Sequence, residues 1–318
     1  MHAVYINPHT DFGFKRLFGS EFNKELLISF LNALFNGKQN VRDITYLSPE
    51  QLGERIESRR AIFDVYCEND KGEKFIVEMQ NVYQEFFKDR TVYYSTFPIR
   101  EQAKRGSDWD FQLNAVYTIG LLNFEFNDGN EEGQDIERPW HHEIKLMDID
   151  RNTIFYDKLT YIYEEIPKFN KHENELDDMF DKWMYVLRNL SKLMERPAAL
   201  QERVFTRLFE QAEIAKFNAK ELSIYEDNLN AYRDIMNAIK TAEKEKFEEG
   251  KAEGLEEGLA QGKAEGLEEG LAQGKAEGLA QGIDYQKTTT AKAMLAFNEP
   301  IDKIMMYTGL TKEEIEGL

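Results

Sequence analysis

The 318-residue chain has a single cysteine, Cys67. That excludes an internal disulfide and a cysteine-rich zinc site, and it makes a reducing cytoplasm the expected setting. Long apolar runs are missing too. The run Ala115–Leu122 is among the longest and falls far below the roughly 20 residues of a membrane helix, so no membrane partner is expected. The opening Met1-His2-Ala3-Val4-Tyr5-Ile6-Asn7-Pro8 lacks a basic segment followed by a long apolar one, and no secretory leader is expected. No Gly-rich phosphate loop, Ser/His/Asp arrangement or dinucleotide fingerprint occurs. Positive charge is scarce, with 40 Lys/Arg against 59 Asp/Glu and a net charge of −19. Loose, charge-driven nucleic-acid binding is therefore disfavoured. The deficit is uneven: residues 1–120 carry 15 basic and 17 acidic groups, the remainder 25 and 42. A local basic groove on the near-neutral first part stays compatible with this charge.

What is present is enough for a core: 42% hydrophobic and 13% aromatic residues. Helical spacing is clear in Glu21–Phe35, where Phe22, Leu26, Phe30 and Leu34 recur every fourth residue before Gly37. Thr10–Phe18 reads as a short helix or turn ended by Gly19, and Val41–Leu47 as a strand. Ala61–Cys67 and Lys74–Gln80 read as two strands joined by the turn-rich Glu68-Asn69-Asp70-Lys71-Gly72-Glu73. Tyr83–Arg105 reads as a helix that Pro98 kinks or splits, and Ala115–Phe124 as an apolar strand. Further strands are expected near His142–Met147 and Tyr161–Ile166. Helices follow over 173–247, including Asp178–Leu193 and Leu222–Lys244. The first 125 residues thus form a compact α/β unit, with residues 126–247 as added strands and a helical extension.

From Gly250 the chain reads GKAEGLEEGLAQ, repeats it from Gly262, and shortens it from Gly274, so glycine recurs every fourth residue up to Gly282. All else in the repeat is a good helix former, but nine interior glycines cost roughly 7–9 kcal/mol relative to alanine. Residues 248–282 are therefore read as a partly helical or flexible spacer. The alternative is a glycine column that lets helices pack closely in an oligomer, its period of four favouring a right-handed wrap. Residues 283–318 read as a small helical tail: Lys287–Phe297, Ile301–Thr308, and a third helix opened by the capping box Thr311-Lys312-Glu313-Glu314. This tail forms either a helix-turn-helix-like unit or a segment that folds in an oligomer.

The hairpin carries the chemistry. Asp64 interrupts one apolar strand; Glu78 and Gln80 interrupt the other and share a face. If Glu68 and Lys74 pair across the turn, Asp64 lies opposite Glu78, with Cβ atoms about 4.5–5.5 Å apart. Two carboxylates that close destabilise the sheet unless compensated. A divalent cation such as Mg²⁺ compensates them; so do basic side chains such as Arg59 or Arg90.

Asp64, thirteen intervening residues, and Glu78-Met79-Gln80 resemble the D…(D/E)-x-K core of the PD-(D/E)XK nuclease superfamily. The start Thr10-Asp11-Phe12-Gly13-Phe14-Lys15-Arg16-Leu17-Phe18 and the helix Arg90-Thr91-Val92-Tyr93-Tyr94 running to Gly106 are similar to one branch, the PD-(D/E)XK family transposases and recombination-promoting nucleases. The resemblance covers residues 5–125 well, the next hundred loosely, and extends to the Gly/Leu/Glu repeats and helical tail. It implies a restriction-endonuclease-like fold, a mixed sheet flanked by helices, and DNA as the partner, cleaved with Mg²⁺ or Mn²⁺. By position Asp64 and Glu78 would be metal ligands, with the Met79 carbonyl as a third. Gln80 stands at the superfamily lysine. A glutamine orients water but brings no positive charge, which Lys15 or Arg90 would have to supply. Asp11 is four residues before Lys15 and reads either as a further acidic site residue or as a helix N-cap.

Arg100, Lys104 and Arg105 read as phosphate contacts or as complements of a helix dipole. Neighbours on a strand point to opposite faces, so His141-His142 does not suit a two-histidine metal site. The aromatics Phe86, Phe87, Tyr93, Tyr94 and Phe97 read as core rather than as a stacking platform. The expected function is a metal-dependent DNA endonuclease, with homo-oligomerisation through the repeat and tail. The competing reading is a nuclease-like protein that binds DNA or assembles without cleaving, and a third is an enzyme on RNA or modified DNA.

Overall fold

The computed structural model describes residues 3–48, 50, 51, 61–103, 110–126 and 139–318. The chain divides into two compact units, Met1–Met236 and Asn237–Leu318.

In the first unit, α1 (Asp11–Phe18) is capped by Thr10, whose hydroxyl accepts from the Gly13 N–H at 3.0 Å. The N-cap role weighed for Asp11 therefore belongs to its neighbour. A Cβ at Gly13 would lie 2.1 Å from the Asn7 carbonyl oxygen, so only glycine lets the chain turn into α1 this tightly. α2 (Lys24–Phe35) follows a single tight turn, Glu21–Asn23, and ends on Asn36 in the left-handed conformation.

The strands are β1 (Ile44–Tyr46), β2 (Glu50–Gln51), β3 (Ala61–Ile62), β4 (Val65–Asn69) and β5 (Lys74–Gln80). After α3 (Phe87–Glu101) come β6 (Val116–Leu122), β7 (His141–Asp148) and β8 (Thr153–Glu165). Six form one mixed sheet in the order β1-β4-β5-β6-β8-β7, while β2 and β3 pair separately. β5, β6 and β8 run parallel; β4 and β7 are antiparallel to their neighbours. This is an α/β architecture, and its last two sheet strands come from beyond residue 125.

The single strand expected over Ala61–Cys67 is corrected to two. The chain leaves the ladder at Phe63 and Asp64, between β3 paired with β2 and β4 paired with β5. Phe63 is drawn instead into a cluster with Tyr66, Ile76 and Phe97.

Every residue of β6 is buried, as expected for a central strand covered on both faces. One face carries the main core, where Val65, Phe75, Val77 and Ile119 meet helices α1, α2, α4 (Met179–Asn189) and α5 (Arg203–Ala212). The other face lies under α3. Here a Cβ on Gly120 would come 3.0 Å from the Tyr163 ring, and the Tyr163 hydroxyl reaches Thr91 of α3 at 2.6 Å.

α6 (Ala219–Ala296) begins in the first unit and runs without interruption through the repeat. Leu255, Leu259, Leu267, Leu271 and Leu279 are exposed, and beyond the helix's own adjacent backbone nothing lies within 4 Å of a Cβ built on any of the repeat glycines. In the second unit the end of α6, α7 (Ile301–Thr308) and α8 (Lys312–Glu316) bury Ala291, Ile304 and Ile315 together. The capping box at Thr311 is formed as its sequence predicts.

Candidate active site

The β4–β5 hairpin fixes the site through its turn. The Asn69 side chain accepts from the Lys71 and Glu73 N–H groups at 3.0 Å each, and Gly72 takes φ +74°. Glu68 then pairs with Lys74, and the register runs through Val65 opposite Val77. Asp64 stands just before this ladder begins, and Glu78 one step beyond Val77. Alternation puts Glu78 and Gln80 on the α3 face with Ile76. Because Asp64 precedes the ladder, its carboxylate folds onto the end of β5, where Oδ2 accepts from the Met79 N–H at 2.8 Å. In a strand the N–H and C=O of one residue point to the same side, so the Met79 carbonyl faces the Asp64 side as well.

Burial and proximity make this pair electrostatically expensive. Burial, then the Asp64 charge, push the Glu78 carboxyl up to about 8, with Arg90 and Lys15 opposing. Asp64 is raised chiefly by burial, against the Met79 N–H and Lys15. Glu78 Oε1 is buried without a hydrogen-bond partner among the described residues. Two convergent hard oxygen ligands, one of them orphaned, fit a divalent cation of the Mg²⁺ class.

Gln80 is held at both ends of its amide. Its Oε1 accepts from Arg90 Nη2, and its Nε2 donates to the Val82 carbonyl at 3.1 Å. Arg90 Nη1 donates to Gln84 Oε1 at 2.7 Å, and the guanidinium lies 5.7 Å from the rings of both Phe87 and Tyr94. A cation from α3 thus meets the amide of Gln80. Asp11 and Lys15 pair with each other at 2.6 Å on α1, and both act on Asp64 through space. The strand end is tied to the entry of α1 by Asn81 Nδ2, which donates to the His9 carbonyl at 2.7 Å.

The sequence model of the PD-(D/E)XK nuclease family transposases matches residues 8–242. The chain belongs to this family. Comparison with curated proteins and with solved structures returns no match. The mixed sheet flanked by helices agrees with the PD-(D/E)XK fold, and membership supports a nuclease or transposase type of function.

The other sequence-derived candidates of this PD-(D/E)XK protein fall elsewhere. Arg100 sits in the last turn of α3, ten residues or about 15 Å of helix beyond Arg90. Lys104, Arg105 and Arg59 lie outside the described residues. His141 and His142 point to opposite sides, to Glu164 at 2.7 Å and Glu165 at 2.6 Å. Among the described residues no group of three or more His, Cys, Asp or Glu suited to a metal occurs. The carboxylate pair would therefore need the Met79 carbonyl, water or substrate oxygens to complete a coordination shell. Glu165 serves structure: it also accepts from Lys168 Nζ at 2.8 Å and from the Phe126 N–H at 2.7 Å.

Sequence reasoning missed Asn81, Gln84 and Tyr94 as neighbours of the site. The signal for Tyr94 was its i, i+4 spacing from Arg90 on one helix face. The aromatic run is corrected in part. Phe87 and Phe97 are buried, but Tyr93 is exposed because α3 presents only one face to the sheet, and Phe86 is exposed just before the helix begins.

Proposed function

We propose that this chain is a metal-dependent DNA endonuclease of the transposase or recombination-promoting type. The observation that carries it is the Asp64/Glu78 pair with its orphaned Glu78 oxygen, set beside the Gln80–Arg90 bond. Asp64, Glu78 and the Met79 carbonyl would hold Mg²⁺ or Mn²⁺. Such an ion, when bound, supplies a water of lowered pKa and polarises a phosphate oxygen. The chain's own part is positional. The Met79 N–H aims one Asp64 oxygen, leaving the other for a ligand. Gln80, its amide oriented by Arg90 and Val82, borders the place where an attacking water would sit. Arg90 holds positive charge against the charge that builds on the phosphate in the transition state. Lys15 adds a longer-range contribution to the same field. Arg100, Lys104 and Arg105 remain candidates for backbone phosphate contact.

The test is plasmid nicking by the purified full chain. Cleavage is expected with Mg²⁺ or Mn²⁺ and not with EDTA. Ca²⁺ should permit binding but block cleavage, because its looser coordination misplaces the water. Asp64→Ala should abolish nicking. Equal cleavage by Asp64→Ala refutes the role given to Asp64, and no cleavage with any divalent ion refutes the endonuclease. The non-cleaving DNA-binding or assembly reading then stands, favoured by Gln80 at the lysine position and the net charge of −19. Cytoplasmic residence and self-association through residues 250–318 belong to the same proposal. The exposed leucines and uncontacted glycines of the repeat support the latter.

A further inference from the structure

The loop that Gln80 and Arg90 bond, through the Val82 carbonyl and Gln84, carries an aromatic surface that the nuclease chemistry does not use. The loop from β5 to α3 carries Tyr83, 46% exposed, and Phe86, 65% exposed. Tyr83 packs edge-on against Phe124 at 5.5 Å, and Phe124 against Phe126 at 6.0 Å, so the rings form a continuous patch beyond the ends of β5 and β6. Ligands of open α/β sheets collect at the carboxyl ends of parallel strands. The Phe86 carbonyl accepts from the Arg90 N–H at 3.0 Å, so Phe86 stands at the start of the helix whose first turn carries Arg90, the residue that holds Gln80. Lys88 Nζ sits 5.1 Å from the Phe126 ring at the patch's other side. Among the described residues, Lys88 and Arg90 are the cations whose contacts reach it.

A protein that grips continuous duplex draws its affinity from many phosphate contacts. Residues 1–120, which carry the carboxylate pair, have no surplus of positive charge, with 15 basic and 17 acidic groups, and few cations of the described residues reach the patch. Stacking of an unpaired base on an exposed ring needs no charge and is tolerant of sequence. We propose that Tyr83 and Phe86 form a stacking platform for unpaired bases, so that the site takes single-stranded DNA, or an unpaired stretch within DNA, in preference to continuous duplex. The inference rests on the nuclease reading for the identity of the ligand, but its readout is binding.

The experiment is fluorescence anisotropy of the full chain in Ca²⁺ buffer. The probes are a labelled mixed-sequence strand of about 20 nucleotides, its duplex, and the RNA strand of the same sequence. The single DNA strand is expected to bind at least about tenfold more tightly than the duplex, with a logarithmic salt slope of about 2 or less. Phe86→Ala is expected to weaken single-strand binding roughly 5- to 100-fold while Phe86→Trp restores it. Duplex binding as tight as single-strand binding overturns the proposal. So does tighter binding of RNA, or single-strand binding unmoved by both Phe86→Ala and Tyr83→Ala. The two readings fail separately. Metal-dependent plasmid nicking that survives in Phe86→Ala with unchanged binding refutes the platform and leaves the endonuclease. Loss of all metal-dependent cleavage with intact single-strand preference refutes the endonuclease and leaves the platform.

Discussion

Replacing Glu78 by glutamine is expected to stabilise the metal-free protein at alkaline pH. The native fold raises this carboxyl from 4.5 to about 8, first by burial and then by the Asp64 charge. A raised acid holds its proton more tightly in the folded chain than in the unfolded one. Its contribution is therefore complete below pH 4.5, falls as the pH climbs from 4.5 to about 8, and is lost above that. At about 1.4 kcal/mol per tenfold change in proton affinity, the ionised form costs the fold on the order of 5 kcal/mol. Glutamine keeps the size and removes the charge, though its amide must find new partners. A net gain on the order of 2–3 kcal/mol follows, or about 5–10 °C in melting temperature for a unit of this size. The assay is thermal melting in EDTA at about pH 5 and about pH 8.5, with Mg²⁺ added to parallel samples. Glu78→Gln should melt close to wild type at the lower pH and well above it at the higher. The Mg²⁺-induced rise of wild type should be absent or reduced in the variant. A difference equal at both pH values, or a variant that melts lower at alkaline pH, refutes the reasoning. Asp64→Ala should gain less, because it strips the Met79 N–H of its acceptor.

Gln80→Lys places a second cation against Arg90, so nicking should fall about tenfold, whereas the exchange Gln80→Lys with Arg90→Gln should recover most of it. A Gln80→Lys enzyme as active as its parent refutes the Arg90 substitution. Gln80→Ala should weaken cleavage less than Asp64→Ala, since an amide only orients water; equal loss in the nicking assay assigns Gln80 a larger role. Limited proteolysis should cut within residues 250–282 and release a stable fragment ending near residue 247, because nine interior glycines leave that stretch of α6 marginal by roughly 7–9 kcal/mol. Full protection in a demonstrated monomer refutes this. Deleting residues 250–318 should lower the particle mass in sedimentation by more than the deleted residues account for, and an unchanged oligomeric state refutes assembly through the repeat and tail.

Some of this protein is written locally in its chain. β5 spans Lys74–Gln80 and α7 spans Ile301–Thr308, as periodicity and end signals predict, since both depend on neighbours within a few residues. The turn at Asn69–Glu73 sets the register, which brings Val65 opposite Val77 and so delivers Asp64 to the end of β5. Other features belong to the tertiary structure. That β8 enters the sheet between β6 and β7 follows from packing across long separations, on which local pattern is silent. The break at Phe63 and Asp64 arises because one ring is drawn into the cluster under α3 while the carboxylate turns to a backbone amide of β5. Arg90 and Gln80 are ten residues apart and meet only because the loop between them folds α3 over the strand end. The proton affinity of Glu78 likewise depends on the water that surrounding elements exclude, and desolvation is a property of the assembled fold, not of residue order. The same holds for Phe86. An aromatic residue is apolar in any sequence, but only the packed fold decides which rings the core covers.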